Sequence, residues 1–220
     1  MPRLGATMSE DLIKDWTCED VSGISRLQEA CMLGDLTKVP RCVLTESCLL
    51  LGVNNKQTSY HFAAMSGCLN KLPLETLSEH CFLRPDNYGN TPLHEAAQHG
   101  NLLQVPTHIL TRGNLLAVYN RAGPLLSVKN VPVLLAAARY GHLDQLPDVF
   151  EPDDFILEFD QWSAFDHANC WGHLHQLFGI DLPDICKSKV PEGWWEKNQR
   201  ILYAKKTLTD VHTSNDIDLF

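Results

Sequence analysis

The chain has 220 residues, 44% of them hydrophobic and 20% charged, with a formal net charge of −9 at pH 7. That balance reads as a globular chain long enough to bury a sizeable core, and it excludes a disordered one. No apolar run approaches the ~18 residues that cross a bilayer, and the start "MPRLGATMSEDLIKDW" lacks the basic-then-apolar pattern of a signal peptide, so a cytoplasmic protein is expected.

Charge is distributed unevenly along the chain. Up to Arg139 there are twelve acidic and twelve basic residues; from Tyr140 to Cys186 there are ten acidic residues and no Lys or Arg. A one-sign field of this kind bears on partners rather than on fold: it repels nucleic acid and favours a basic surface. The eight cysteines form no C-x-x-C pair and mostly sit in apolar-periodic segments, where a reduced thiol acts as a small hydrophobe.

In chain order, "MSEDLIKDWTCED" (8–20) predicts a capping helix with Leu12, Ile13 and Trp16 as its apolar face, and residues 1–19 are assigned to that cap. Then one pattern recurs. Gly34 ends "LQEACMLG", Gly67 ends "YHFAAMSG", Gly100 ends "LHEAAQHG", Gly141 ends "LLAAARYG" and Gly172 ends "FDHANCWG". Each block holds an apolar residue, a small pair (Ala30/Cys31, Ala63/Ala64, Ala96/Ala97, Ala137/Ala138, Ala168/Asn169), two variable residues and Gly. After each Gly comes a second signature: Leu36-x-x-Val39-Pro40, Leu69-x-x-Leu72-Pro73, Leu102-x-x-Val105-Pro106, Leu143-x-x-Leu146-Pro147, and Leu174-x-x-Leu177 without the proline. Small residues let neighbouring helices approach, Gly supplies the left-handed C-terminal position, and a proline fits the first turn of a second helix. Thr45, Ser78, Thr111 and Glu151 then stand where a further helical turn can start. The segment Asp86-Asn87-Tyr88-Gly89 reads as a tight turn. Beyond the repeats, "PEGWWEKNQRILYAKKTL" predicts a C-terminal capping helix within 181–208, with Trp194, Trp195, Asn198, Ile201 and Leu202 at helical spacing, and 209–220 a flexible tail.

The period of 33 residues and the segment Thr91-Pro92-Leu93-His94-Glu95-Ala96-Ala97 resemble the ankyrin repeat family, with Thr58-Ser59-Tyr60-His61-Phe62-Ala63-Ala64 a clear variant. The resemblance implies an all-α ankyrin-like solenoid of five helix–turn–helix units over 20–180, with an insertion near 117–130 and terminal caps. Spacing departs from the family at 41 residues between Gly100 and Gly141 and 31 between Gly141 and Gly172, and the usual Gly-Ala-Asp loop is absent. The resemblance also gives His61 and His94 a structural role, bonding backbone between adjacent repeats.

For function, the resemblance implies a non-catalytic protein-binding module, without cofactor, that works as an adaptor, inhibitor or effector. A monomer is favoured. Its contact positions fall on turn tips and inner-helix ends: Asn54, Asn55, Gln57, Met65 and Ser66; Asn87, Tyr88, Asn90, Gln98 and His99; Val128, Lys129, Val131, Arg139 and Tyr140; Phe159, Asp160, Trp162, Cys170 and Trp171. Stacking is expected to bring Tyr140, Phe159, Asp160, Trp162 and Trp171 toward one concave wall. The partner expected is a protein with a basic and partly apolar surface, with neither nucleic acid nor membrane as ligand. Two other readings remain: a structural stacking protein without a dedicated ligand, and a metal-binding or catalytic protein using His167, Cys170, His173 and His175, whose donors suit zinc. No nucleophile motif and no phosphate-cradling Gly loop is present.

Overall fold

The computed structural model describes residues 4–52, 55–118, 131–159, 161–177 and 180–194, with side chains from residue 10 onward. It is all-α, and among the described residues the only β features are the isolated bridges Glu19–Ser25 and Phe159–Trp162. The chain divides into two compact units, Met1–Phe150 and Glu151–Phe220.

In the first unit α1 (Leu4–Thr17) is followed by α2 (Arg26–Met32), α3 (Glu46–Leu49), α4 (Ser59–Ser66), α5 (Glu79–Phe82), α6 (Pro92–His99), α7 (Arg112–Leu116) and α8 (Val133–Tyr140). The cap helix begins and ends earlier than its sequence pattern suggests. Ile13 and Trp16 are half-buried, but Leu12 stays exposed. Arg26 lies over the Trp16 ring at 4.9 Å and pairs with Asp15.

Helices α2, α4, α6 and α8 carry the repeated small pairs and pack in file, α2 on α4, α4 on α6, α6 on α8. Leu27, Tyr60, Leu93 and Leu134 occupy the same position in successive copies, and each is at most 1% exposed. Burying such a side chain contributes about 1.5–3 kcal/mol. The small pairs explain how the helices come so close: Cys31, Ala64, Ala97 and Ala138 are all fully buried. Each helix stops on its glycine, with φ of 67°, 72°, 72° and 82° at Gly34, Gly67, Gly100 and Gly141. At Gly67 and Gly100 a Cβ would also meet Asn101 Oδ1 and His142 Cε1 at 2.7 Å, so those side chains would have to move.

The second half of each copy departs from the helix expected there. Leu69–Lys71, Leu102–Gln104 and Leu143–Gln145 form single 3-10 turns, and the chain then extends, with ψ of 150°, 134° and 143° at Leu72, Val105 and Leu146. Each of these residues precedes a proline, whose Cδ disfavours the helical region for the residue before it. The proline is therefore a stop, and not the first-turn residue suggested by its position in the pattern. Pro40, Pro73 and Pro106 each begin a new turn, accepting from Val43, Thr76 and Ile109 N–H at 2.9, 2.9 and 3.0 Å. The further helical turns appear where Thr45, Ser78 and Thr111 stand, as α3, α5 and α7. Thr111 Oγ1 accepts from Asn114 N–H at 3.2 Å. Thr111→Ala is expected to lower stability by about 1 kcal/mol, the usual value of an N-cap, in urea unfolding.

The second unit repeats the design once. Its helices are α9 (Ala164–Trp171) and α10 (Asp184–Ser188), preceded by the 3-10 turn Pro152–Ile156 that follows Glu151. Ser163 and Asp166 cap α9 reciprocally, Phe165 and Ala168 are buried, and Gly172 ends the helix at φ 81°. Asn169, where the other copies bury Cys or Ala, is exposed. Of the expected C-terminal cap, α10 forms within it, while Trp195, Asn198, Ile201, Leu202 and the tail 209–220 lie outside the described residues, as do 119–130 of the insertion.

Candidate interaction surface

The turn tips are built from backbone-directed side chains. Asp86, 2% exposed, accepts from Tyr88 N–H at 2.8 Å and Asn90 N–H at 3.0 Å through Oδ1, which closes the turn that ends on Gly89 at φ 83°. Gln57 Nε2 donates to Asp86 Oδ2 at 3.3 Å, and Asn87 N–H donates to Asn55 O at 2.7 Å. The tips of the second and third copies are thus tied together, and Asn55, Gln57, Asn87 and Asn90 are half-buried at that junction. Tyr88 points outward, 45% exposed.

Behind the tips runs a ladder of side chains. His61 Nδ1 accepts from Thr58 N–H at 3.0 Å, and its Nε2–H donates to Asn90 O at 3.1 Å. One copy on, His94 Nδ1 accepts from Thr91 N–H at 3.1 Å, and Nε2–H donates to Val131 O at 2.8 Å. In the first copy Gln28 takes this place, donating to Gln57 O at 3.1 Å. These bonds span 29, 29 and 37 residues, so the third spans the eight-residue insertion without losing register. Burial pushes both imidazoles down to about 4, with a backbone acceptor on Nε2 working the other way. They are neutral links between copies, as the histidine pattern implies, and not reactive groups.

The inner-helix ends differ in chemistry from copy to copy. Met65 and Gln98 are half-buried and Ser66 is exposed. His99 lies with Nε2 3.7 Å from Glu95 Oε2. Glu95 is almost fully buried, and that burial, with Asp86 nearby, pushes its carboxyl up to about 7. Arg139 and Tyr140 are both exposed, with the guanidinium 5.6 Å from the Tyr140 ring. Val131 is half-buried, and Val128 and Lys129 lie outside the described residues.

In the second unit Phe159 and Trp162 pair across a two-residue tip, with Phe159 N–H donating to Trp162 O at 2.9 Å and Trp162 N–H to Phe159 O at 3.2 Å. Gln161 takes φ 71° to close it, as Lys56 does at φ 60° in the second copy. Trp162 is 44% exposed and lies 5.4 Å from the His167 ring; Trp171, one turn further along α9, is 55% exposed. Phe159 is half-buried and Cys170 exposed. Asn54 and Asp160 lie outside the described residues.

The residues proposed for metal do not assemble as a site. His173 and His175 stand edge to face with centroids 6.5 Å apart, and among the described residues no three His, Cys, Asp or Glu side chains converge as a ligand set. No helix among the described residues is long and apolar enough to cross a membrane.

One set of contacts was not legible beforehand. After Gly67, Gly100 and Gly141 the next residue reaches back to the preceding inner helix. Asn101 Nδ2 donates to Ala64 O at 2.8 Å and Met65 O at 3.2 Å, Cys68 Sγ donates to Cys31 O at 3.3 Å, and His142 lies against Gly100. The helix-end carbonyls lacking a partner within their own helix are satisfied from the next copy. Because Cys, Asn and His share no residue type, only the position after the glycine could have marked them.

Comparison with curated proteins gives no match for this chain. Ankyrin repeats as a class are protein–protein interaction modules, typically without catalytic activity. Residues 88–118, which run from the Tyr88 tip through α6 and just past α7, match the ankyrin repeat family model, which supports the resemblance read from the sequence and identifies this stretch as an ankyrin repeat.

Proposed function

We propose that the chain is a protein-recognition module of the adaptor, inhibitor or effector kind, with its repeats over 20–180 as the working part. The observation that carries this reading is that large aromatic side chains are left in solvent at the variable ends of the copies. Tyr88, Tyr140, Trp162 and Trp171 are 41–55% exposed, at turn tips and the last residues of inner helices. Tyr and Trp dominate interface energetics because they bury much area at small entropic cost and carry a polar edge. In the first unit the tips also offer the amides Asn55, Gln57, Asn87 and Asn90, with Gln98 and His99 on α6, groups suited to a partner's backbone. By sequence position alone Asn54 is assigned to the tip of the second copy and Asp160 to that of the fifth.

The partner's chemistry follows from charge. The ten acids between Tyr140 and Cys186 favour a protein with a basic and partly apolar face. Phe159, Trp162 and Trp171 supply the apolar part, and Met65 and Arg139 contribute in the first unit.

The test uses a partner recovered with the wild-type chain and titrated against the double variant Trp162→Ala, Trp171→Ala at several salt concentrations. A loss on the order of 2 kcal/mol or more is expected, with wild-type binding weakening as salt rises. Unchanged affinity without salt dependence, in a variant that still folds, removes the acidic unit from the interface.

A further inference from the structure

Cys31 and Cys68 hold equivalent stacking positions in successive copies: the second residue of the small pair and the residue after the next glycine. Elsewhere the same two positions hold Ala64 with Asn101 and Ala97 with His142. Only at the first step are both thiols. Both are buried, at 0% and 1% exposure, in the contact of α2 with α4. Cys68 Sγ donates to Cys31 O at 3.3 Å, which seats the Cys68 sulfur on the Cys31 main chain. Ser66 Oγ donates to Cys31 O at 2.6 Å and lies 3.3 Å from Cys68 Sγ. A Cys68 sulfur that reaches the Cys31 main chain, between helices that the stack holds side by side, is close to the arrangement a disulfide needs.

We infer that Cys31 and Cys68 form an oxidisable dithiol site, which a peroxide converts into a disulfide stapling the first copy to the second. The environments give the two thiols different roles. The Cys31 thiol hydrogen-bonded to its sulfur, the Ser66 hydroxyl and the nearby Lys71 ammonium favour the thiolate of Cys68, against the opposing effect of burial. Cys31 is pushed up by its bond to Cys68 and by burial, so it stays a thiol. Cys68 is therefore the nucleophile and Cys31 the resolving thiol. Ser66 is exposed and its hydroxyl touches the Cys68 sulfur, which gives a small oxidant a short route to it.

The chemistry balances in two steps. The Cys68 thiolate attacks one oxygen of hydrogen peroxide; an S–O bond forms, the O–O bond breaks, and the leaving hydroxide takes the proton that Cys68 released, as water. The Cys31 sulfur then attacks the Cys68 sulfur; the S–S bond forms, the S–O bond breaks, and hydroxide leaves with the Cys31 proton as a second water. Two thiols are oxidised to one disulfide and one peroxide is reduced to two waters.

The sequence makes the product easy to read. Trypsin releases Cys31 on peptide 27–38 and Cys68 on peptide 57–71, each with a single cysteine. The folded full-length chain is treated with a small excess of hydrogen peroxide, alkylated under denaturing conditions and mapped. Before oxidant all eight cysteines are expected to alkylate, as they are free in the structure. After it, peptides 27–38 and 57–71 are expected joined, the intact mass lower by two hydrogens, and the thermal midpoint raised by several degrees. Cys31→Ser is expected to leave Cys68 as a sulfenic acid that a cyclic 1,3-diketone traps. In the wild-type chain, any product lacking the link overturns the inference, whether the exposed Cys18, Cys42 or Cys170 reacts alone or Cys68 gains oxygen while Cys31 still alkylates.

Discussion

Ala97→Leu is expected to destabilise the chain by about 1–3 kcal/mol, because it overpacks the closest helix contact in the first unit. Ala97 is fully buried on α6, which packs against α4 on one side and α8 on the other. The equivalent residues of the flanking helices, Ala64 and Ala138, are themselves fully buried, so the stack has little room on either side. Urea unfolding followed by circular dichroism measures the change. Asn169→Leu is the control: it occupies the same position in the second unit but is exposed, so its effect should stay within about 0.5 kcal/mol. An unchanged midpoint for Ala97→Leu would refute the alignment of the copies at the point where it matches the ankyrin pattern best.

The second large effect is loss of stability in acid. The imidazoles of His61 and His94, whose ordinary value is 6.5, are held at about 4 in the folded chain. Between those values the unfolded chain binds protons that the folded chain refuses, so stability falls as pH drops from about 6.5 to about 4. Each imidazole contributes on the order of 3 kcal/mol to that loss. The buried carboxyls act in the opposite sense. Glu95 is pushed up to about 7 by burial and by Asp86, so the folded chain gains a proton there as pH falls from about 7 toward 4.5, and Asp86, raised by burial, acts in the same sense. Wild type should therefore lose less than the two imidazoles alone would give. Glu95→Gln should remove part of the compensation, raising stability at pH 8 and steepening the fall below pH 6.5. A stability curve flat from pH 7 to pH 4 in Glu95→Gln would contradict neutral, buried histidine links.

The repeat was legible in the sequence because its signals are local and redundant. A glycine needing φ near 70°, a small pair and an apolar residue recur together, and each has one physical reason to be where it is. The fate of Leu-x-x-Val-Pro was harder to read. A proline is compatible both with a helix's first turn and with a chain break, and the choice depends on the residue before it, which here extends in every copy where its angles are described. The histidine ladder was readable through family resemblance, but the reach of Asn101, Cys68 and His142 to the preceding helix was not. Those side chains have a common position and no common chemistry. Of the candidate surface, Tyr88, Trp162 and Trp171 were marked by being large aromatics at variable positions. The tie between Asn55 and Asn87 was invisible, because it is made by backbone atoms.

The central claim is that recognition uses the turn tips and inner-helix ends, not the exposed leucines of the 3-10 segments. A photo-crosslinking residue placed at Tyr88, Tyr140 or Trp171, one per variant, compares these sites with Leu74 and Leu103, which are both 78% exposed. In the cell that makes the protein, the account predicts a discrete protein adduct from one or more of the first three positions and none from Leu74 or Leu103. Adducts from Leu74 and Leu103, with none from Tyr88, Tyr140 and Trp171, would contradict it.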